Sequence, residues 1–151
     1  MISLNTELIV FAKILAAVVL GGIIGYDREK HGRDAGIRTY AAVCAGATIF
    51  TSVAAHLGDL AAASRVVANI VVGVGFLGAG IISRDRDSNN SSGLTTAATI
   101  WCTAAVGVTI GLNEFLVATG TAGVLYFLLS LHHQKWYLRW KKKIREKEEH
   151  A

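Results

Sequence analysis

Long apolar stretches alternate with short polar ones along this chain. Five stretches stand out: Leu8–Tyr26, Gly36–Leu57, Val66–Ser83, Leu94–Leu112 and Phe115–Leu131. Each has the length of a membrane span, for which roughly 17–25 apolar residues suffice. The last three carry no charged residue, and only Lys13, Arg38 and His56 intrude on the first two. Arg38 and His56 lie near span ends, where a long polar side chain reaches the interface. Backbone groups in lipid must hydrogen-bond internally, so spans are helices or closed barrels. No period-two alternation supports a barrel. Ile70–Val74 could pass as a buried strand, but it sits inside an apolar run of helical length. The pattern predicts an all-α, polytopic membrane protein, a bundle of about five transmembrane helices.

Composition agrees. Of 151 residues, 52% are hydrophobic, 17% are charged and none is proline. Soluble domains carry ~25% charged residues. A disordered chain, a collagen and a loop-rich secreted module are disfavoured. The formal net charge is +4, and the segment from His132 onward accounts for all of it. The basic balance therefore describes a short tail and no nucleic-acid-binding domain. Thirteen of the fifteen Lys and Arg residues fall on one side of the expected spans, only Arg65 on the other, with Lys13 inside. The positive-inside rule then places the N-terminus outside and the C-terminus in the cytoplasm. Met1–Thr6 has no basic leader and the first span ends in Asp27-Arg28-Glu29, so that span is expected to be retained. Residues 1–134 form the expected transmembrane domain. Residues 135–151 form an expected basic amphipathic tail, with Trp136, Trp140 and Ile144 one turn apart and bases facing anionic lipid.

Chemistry-bearing motifs are sparse. Gly73-Val74-Gly75-Phe76-Leu77-Gly78 fits GxGxxG, but the dinucleotide fingerprint needs a strand before it and a soluble helix after it. Within a span, Gly73, Gly75, Gly78 and Gly80 instead let another backbone approach. Gly21/Gly25 and Gly107/Gly111 repeat the small-xxx-small spacing. Such packing is expected within the chain or between copies in a homo-oligomer. Thr95, Thr99 and Thr103 form a stripe that Gly107 and Gly111 continue, with Thr96 and Cys102 beside it. Threonines of this kind bond back to their own helix, or line a cavity or partner surface. Cys44 and Cys102 are expected as free thiols at similar depth, without zinc spacing around them. No carboxylate lies inside a span, so the usual relay of a proton- or cation-coupled carrier is missing. P-loop, nucleophile-elbow and His-Glu metal motifs are absent. No enzyme activity and no cofactor are expected.

One cluster stands out. Asp27, Arg28 and Glu29 close the first span, Arg38 and Thr39 open the second, Arg84 ends the third, and Thr95 and Thr96 open the fourth. In a compact bundle these cytoplasmic ends converge into a polar site, or into a solvated rim that only sets topology. Arg65 and Asn69 form a thinner outer cluster. Whether any metal binds is left open, although Asp27 and Glu29 could hold a hydrated Mg²⁺.

Four blocks in order, Gly21–Glu29, Ala35–Thr39, Arg65–Gly80 and Gly93–Trp101, resemble the MgtC/SapB family of bacterial inner-membrane proteins. The family pattern usually has Gln where Asn69 stands, Ser where Val72 stands, and often His where Tyr40 stands. Cys102 matches a position that is Cys in some members. Many members continue into an ACT-like C-terminal domain, so the resemblance implies a short form without it. It further implies a multi-pass plasma-membrane protein linked to Mg²⁺ homeostasis, adaptation to low Mg²⁺ and, in pathogens, survival in macrophages. Some members restrain the F-type ATP synthase, which makes that complex an expected partner beside the lipid bilayer. The expected function is regulatory or adaptor, with a small channel or carrier for Mg²⁺ or another solute as the alternative, and a purely structural protein as the blandest one. A C-terminal green fluorescent protein fusion should fluoresce and a C-terminal alkaline phosphatase fusion should stay inactive. The opposite pattern would overturn the orientation.

Overall fold

Helices in this chain start and stop at residues whose chemistry ends a helix. The computed structural model describes residues 4–84, 91–131 and 139. The first helix, α1 (Leu4–Lys30), has Glu7 in its first turn and Arg28 and Lys30 in its last, charges that complement the helix dipole. Gly32, at φ +64°, follows its end. The second, α2 (Ile37–His56), begins after an extended Gly36. The third, α3 (Leu60–Ile81), is capped by Asp59, whose side chain accepts the Ala61 N–H at 2.9 Å. Two residue pairs, β1 (Ser83–Arg84) and β2 (Ser91–Ser92), then run antiparallel. The fourth helix, α4 (Leu94–Gly111), starts after Gly93 at φ +85°. A turn with Asn113 at φ +69° leads into α5 (Phe115–Ser130).

The architecture is a membrane helical bundle. Helices α1 to α4 are long and apolar enough to cross a bilayer. At 16 residues, α5 is shorter, ~24 Å at 1.5 Å per residue against a hydrocarbon thickness of ~30 Å. Two helices overrun the expected spans. α1 continues through Asp27-Arg28-Glu29 because a helix end in water needs no apolar residues. α3 begins at Leu60, because Asp59 caps it there, and so Arg65 lies inside the helix. The expected tail, 135–151, lies outside the described residues apart from Arg139, which is helical.

The core is built by α1, α2 and α4, with α3 on α4 and α2, and α5 on α4 and α1. α2 and α4 run parallel. Tyr40 meets Thr99 and Thr48 meets Gly107 at the same offset along the chain. α1 runs antiparallel to both. Glycine sets the approach distances. A Cβ at Gly21 would lie 2.6 Å from the Tyr40 carbonyl oxygen, and one at Gly25 2.7 Å from the Ile37 Cα. One at Gly107 would clash with the Cys44 carbonyl oxygen, and one at Gly111 would sit 2.6 Å from the Thr51 Cβ. A Cβ at Gly78 would lie 3.4 Å from the Ala97 Cβ across the α3/α4 contact, an ordinary distance. Gly73, Gly75 and Gly80 face open space within the chain.

Apolar burial fills the rest. Ala17, Ile24, Tyr40, Cys44, Ile100, Val106 and Ile110 are almost wholly enclosed. Phe76, Leu116 and Val72 stand at the periphery, highly exposed, as lipid-facing residues do. Gly107→Val should destabilise the fold by about 1–3 kcal/mol through overpacking, whereas Gly73→Val should change it by less than about 0.5 kcal/mol. Thermal unfolding in detergent measures both.

Candidate functional site

At one end of the bundle α1 stops while α2 and α4 start, and the expected polar cluster lies there. Asp27 and Arg28 fall on the inward face of α1, the face that also carries Gly21, Ile24 and Gly25, and both are buried. The Arg28 guanidinium donates to the Thr96 hydroxyl on α4 at 2.7 Å. Its Nε is buried without a hydrogen-bond partner. Asp27 stays on its own helix, with His31 Nδ1 3.5 Å from its carboxylate and 2.7 Å from its carbonyl oxygen. Glu29 turns to α2, where its Oε2 accepts the Ile37 N–H at 2.9 Å. That carboxylate does for α2 what a capping side chain would do, since Gly36 has none to offer. A Cβ at Gly36 would meet the Glu29 carboxylate, which would have to shift from its place at the Ile37 N–H.

The expected members therefore divide. Arg28 and Thr96 meet, and Glu29 holds the start of α2. Arg38, Thr39 and Thr95 are exposed on the first turns of α2 and α4, outside this network. Arg84 lies in β1, and its side chain is outside the described part of the structure. Arg65 and Asn69, the outer pair, are both exposed on α3. Arg65 sits 3.8 Å from Asp59, and Asn69 lines a groove of about 520 Å³ between α2 and α3 together with Gly46, Phe50, Gly73 and Leu77. Cys102 is half-buried and Cys44 fully buried, both as free thiols.

Below Arg28 a line of hydroxyls follows the α2/α4 contact. Thr99 donates to the carbonyls of Thr95 and Thr96 at 2.9 and 3.1 Å, so its oxygen is left to accept from the Tyr40 hydroxyl, 2.6 Å away. Thr103 bonds back to the Thr99 carbonyl. Thr48 lies 2.9 Å from the carbonyls of both Cys44 and Gly107, one on each helix. Farther along, Lys13 of α1 is buried and donates to the Gly111 carbonyl at 2.8 Å. Gly111 ends α4, where a cation complements the negative end of the dipole. Arg28 and Lys13 thus grip α4 at its two ends, fifteen residues apart on each helix.

Tyr40, Thr48 and Lys13 were absent from the expected site. A signal for two of them existed. Tyr40, Cys44, Thr48 and Thr51/Ser52 recur at helical spacing along α2, as Thr95, Thr99 and Thr103 do along α4. Among the described residues no group of three His, Cys, Asp or Glu side chains could hold a metal ion.

Residues 14–135 match the MgtC family. The chain is 45% identical over 102 residues to Protein MgtC of Salmonella typhimurium (strain LT2), a match over 68% of this chain and 43% of that protein. It is 46% identical over 100 residues to Protein MgtC of Brucella abortus (strain 2308), covering 66% and 41%. Protein SrpB of Synechococcus elongatus is 40% identical over 131 residues, covering 79% of this chain and 71% of the cyanobacterial protein. The chain thus spans less than half the length of the MgtC relatives. No solved structure gives a significant match.

The Tyr40–Thr99 bond should be measurable. Interhelical hydrogen bonds in membranes are worth ~0.6 kcal/mol on average and up to ~1.7. Tyr40→Phe and Thr99→Val should each destabilise the fold, with a coupling of about 0.5–1.5 kcal/mol in a double-mutant cycle. Unfolding in detergent reads it.

Proposed function

The chain belongs to the MgtC family, and from that premise we propose that it is a regulatory or adaptor protein of the bacterial inner membrane, linked to Mg²⁺ homeostasis and adaptation to low Mg²⁺. It acts by binding other membrane proteins, and by family resemblance the F-type ATP synthase is a candidate. One observation carries this. Most of the polar groups between α2 and α4 are spent within the bundle: Tyr40 on Thr99, Thr48 on Gly107, and Thr103 on the turn before it, with the buried Thr51 and Ser52 hydroxyls as exceptions. Glycines close the same contact to backbone distance. A bundle so arranged holds its own helices together and leaves its remaining chemistry facing outward. The outward chemistry is that of α3, with its open glycines and the groove beside Asn69, and of the exposed bases Lys30, Arg33 and Arg38 at the charged end.

A channel or carrier for Mg²⁺ is the competing class. Its expected ligands, Asp27 and Glu29, have separate duties in this fold, one with His31 and one with the Ile37 N–H. Purified protein in proteoliposomes with a Mg²⁺-sensitive dye inside separates the two classes. The expected result is no flux above empty vesicles, together with co-purification of a membrane complex that is lost on Gly73→Leu or Arg38→Ala. Mg²⁺ flux that disappears on Asp27→Asn and Glu29→Gln would overturn the adaptor function.

A further inference from the structure

Two acids flank Arg28 in sequence, yet neither neutralises it. The Asp27 carboxylate lies beside His31 and the Glu29 carboxylate holds the Ile37 N–H. Arg28 itself is 7% exposed. It forms no ion pair among the described residues, donates one bond to Thr96, and keeps a buried Nε with no partner. A buried charge without a counter-ion is expensive, and native structures pair it.

The position makes the imbalance worse. Thr96 lies in the first turn of α4, an 18-residue helix whose N-cap, Gly93, has no side chain to accept its first N–H groups. That end carries about half a positive charge. At α2 the equivalent end receives the carboxylate of Glu29. At α4 it receives a guanidinium. The C-terminal end of α1, whose last turn carries Arg28, offsets part of this charge, but the guanidinium itself faces the positive end of α4, and an anion between them would satisfy both. Leu94 and Thr95 are exposed, so the first turn of α4 is open to solvent.

We infer that Arg28, Thr96 and the first turn of α4 bind an oxyanion of the phosphate type at the charged end of the bundle. The guanidinium fork matches phosphate oxygens in pairs, and free N–H groups at a helix start complete the cradle. Such a group is carried by free inorganic phosphate and by phospholipid headgroups alike. The site goes beyond the adaptor function and does not depend on it.

The test uses the full chain in maltoside detergent, which carries no phosphate. In one arm, inorganic phosphate is titrated into delipidated protein by calorimetry, with chloride holding the ionic strength constant. In the other, phospholipid retained through purification is counted per chain by native mass spectrometry. Saturable phosphate binding assigns the free anion, and one retained phospholipid per chain assigns the headgroup. Either should fall at least tenfold on Arg28→Gln and weaken on Thr96→Val, while Arg33→Gln, at an exposed base, leaves it intact. The proposal is overturned if wild type binds neither, a result that needs no variant to fold. It is also overturned if Arg28→Gln or Thr96→Val binds as wild type does, or if Arg33→Gln loses as much as Arg28→Gln. If wild type binds neither, and Asp85→Asn with Asp87→Asn lowers Tm as Arg28→Gln does, the counter-ion is a carboxylate of the chain itself.

Discussion

Thr48 sits where α2 and α4 touch, and its hydroxyl lies 2.9 Å from a carbonyl on each helix. Everything about that contact depends on Gly107. With any side chain there, the Cys44 carbonyl would have to move, the helices would separate, and Thr48 would lose its partner across the gap. Thr48 would then keep only the bond within its own helix, at the Cys44 carbonyl. Close approach and polar satisfaction are thus one constraint. Close approach alone repeats at Gly111 against Thr51, whose buried hydroxyl has no hydrogen-bond partner, and in the mirror direction at Gly21 and Gly25, which bring α1 onto α2.

From this contact outward the bundle acquires its polarity. α1 is antiparallel to α4, so its basic residues meet opposite ends of the same helix. Lys13 reaches the Gly111 carbonyl, where the dipole is negative, and Arg28 reaches Thr96, where it is positive. The first pairing is electrostatically favourable and the second is not. A residue that only held α1 to α4 could have been Gln or Ser at position 28. A buried guanidinium at the positive end of a helix, with its adjacent acids turned elsewhere, is a local departure from good charge design, and such departures concentrate at functional sites.

Much of the bundle was legible in the sequence. The five apolar runs became the five helices, because a span must be apolar along its length and little else in this chain is. Of the stripe Thr95, Thr99, Thr103, Gly107 and Gly111, the last four became one buried face of α4, because residues four apart lie over one another, while Thr95 is exposed in the first turn. Helix ends were less legible. Asp27-Arg28-Glu29 looked like a loop by charge, while a helix end in water tolerates charge freely. Arg28 and Thr96 were named together, but their contact depends on the α1/α4 register, which emerges only from packing. Arg38 intrudes on the second apolar run and was grouped with Arg28 in the expected cluster. Its place on the outer side of the first turn of α2 depends on how that helix is rotated against Gly25, and no local motif records that rotation. Lys13 drew notice as a charge in a span, yet its partner is a backbone carbonyl, which carries no sequence signature.

The periphery follows from the same logic in reverse. α3 packs through Val74 and Gly78 and leaves Gly73, Gly75 and Gly80 uncovered. In water such a helix would fail to bury its apolar surface. In a bilayer, lipid tails are as apolar as side chains, so leaving α3 outside costs the fold little. Among the described residues nothing lies close enough to Gly73, Gly75 or Gly80 to require glycine there, and each lowers helix propensity by ~1 kcal/mol relative to Ala. A cost of that kind, carried on the surface while the interior glycines are each justified by a contact, means that stability of the isolated chain does not explain them. Close approach by another molecule would, and that is the physical ground on which α3 is proposed above as a surface for partners.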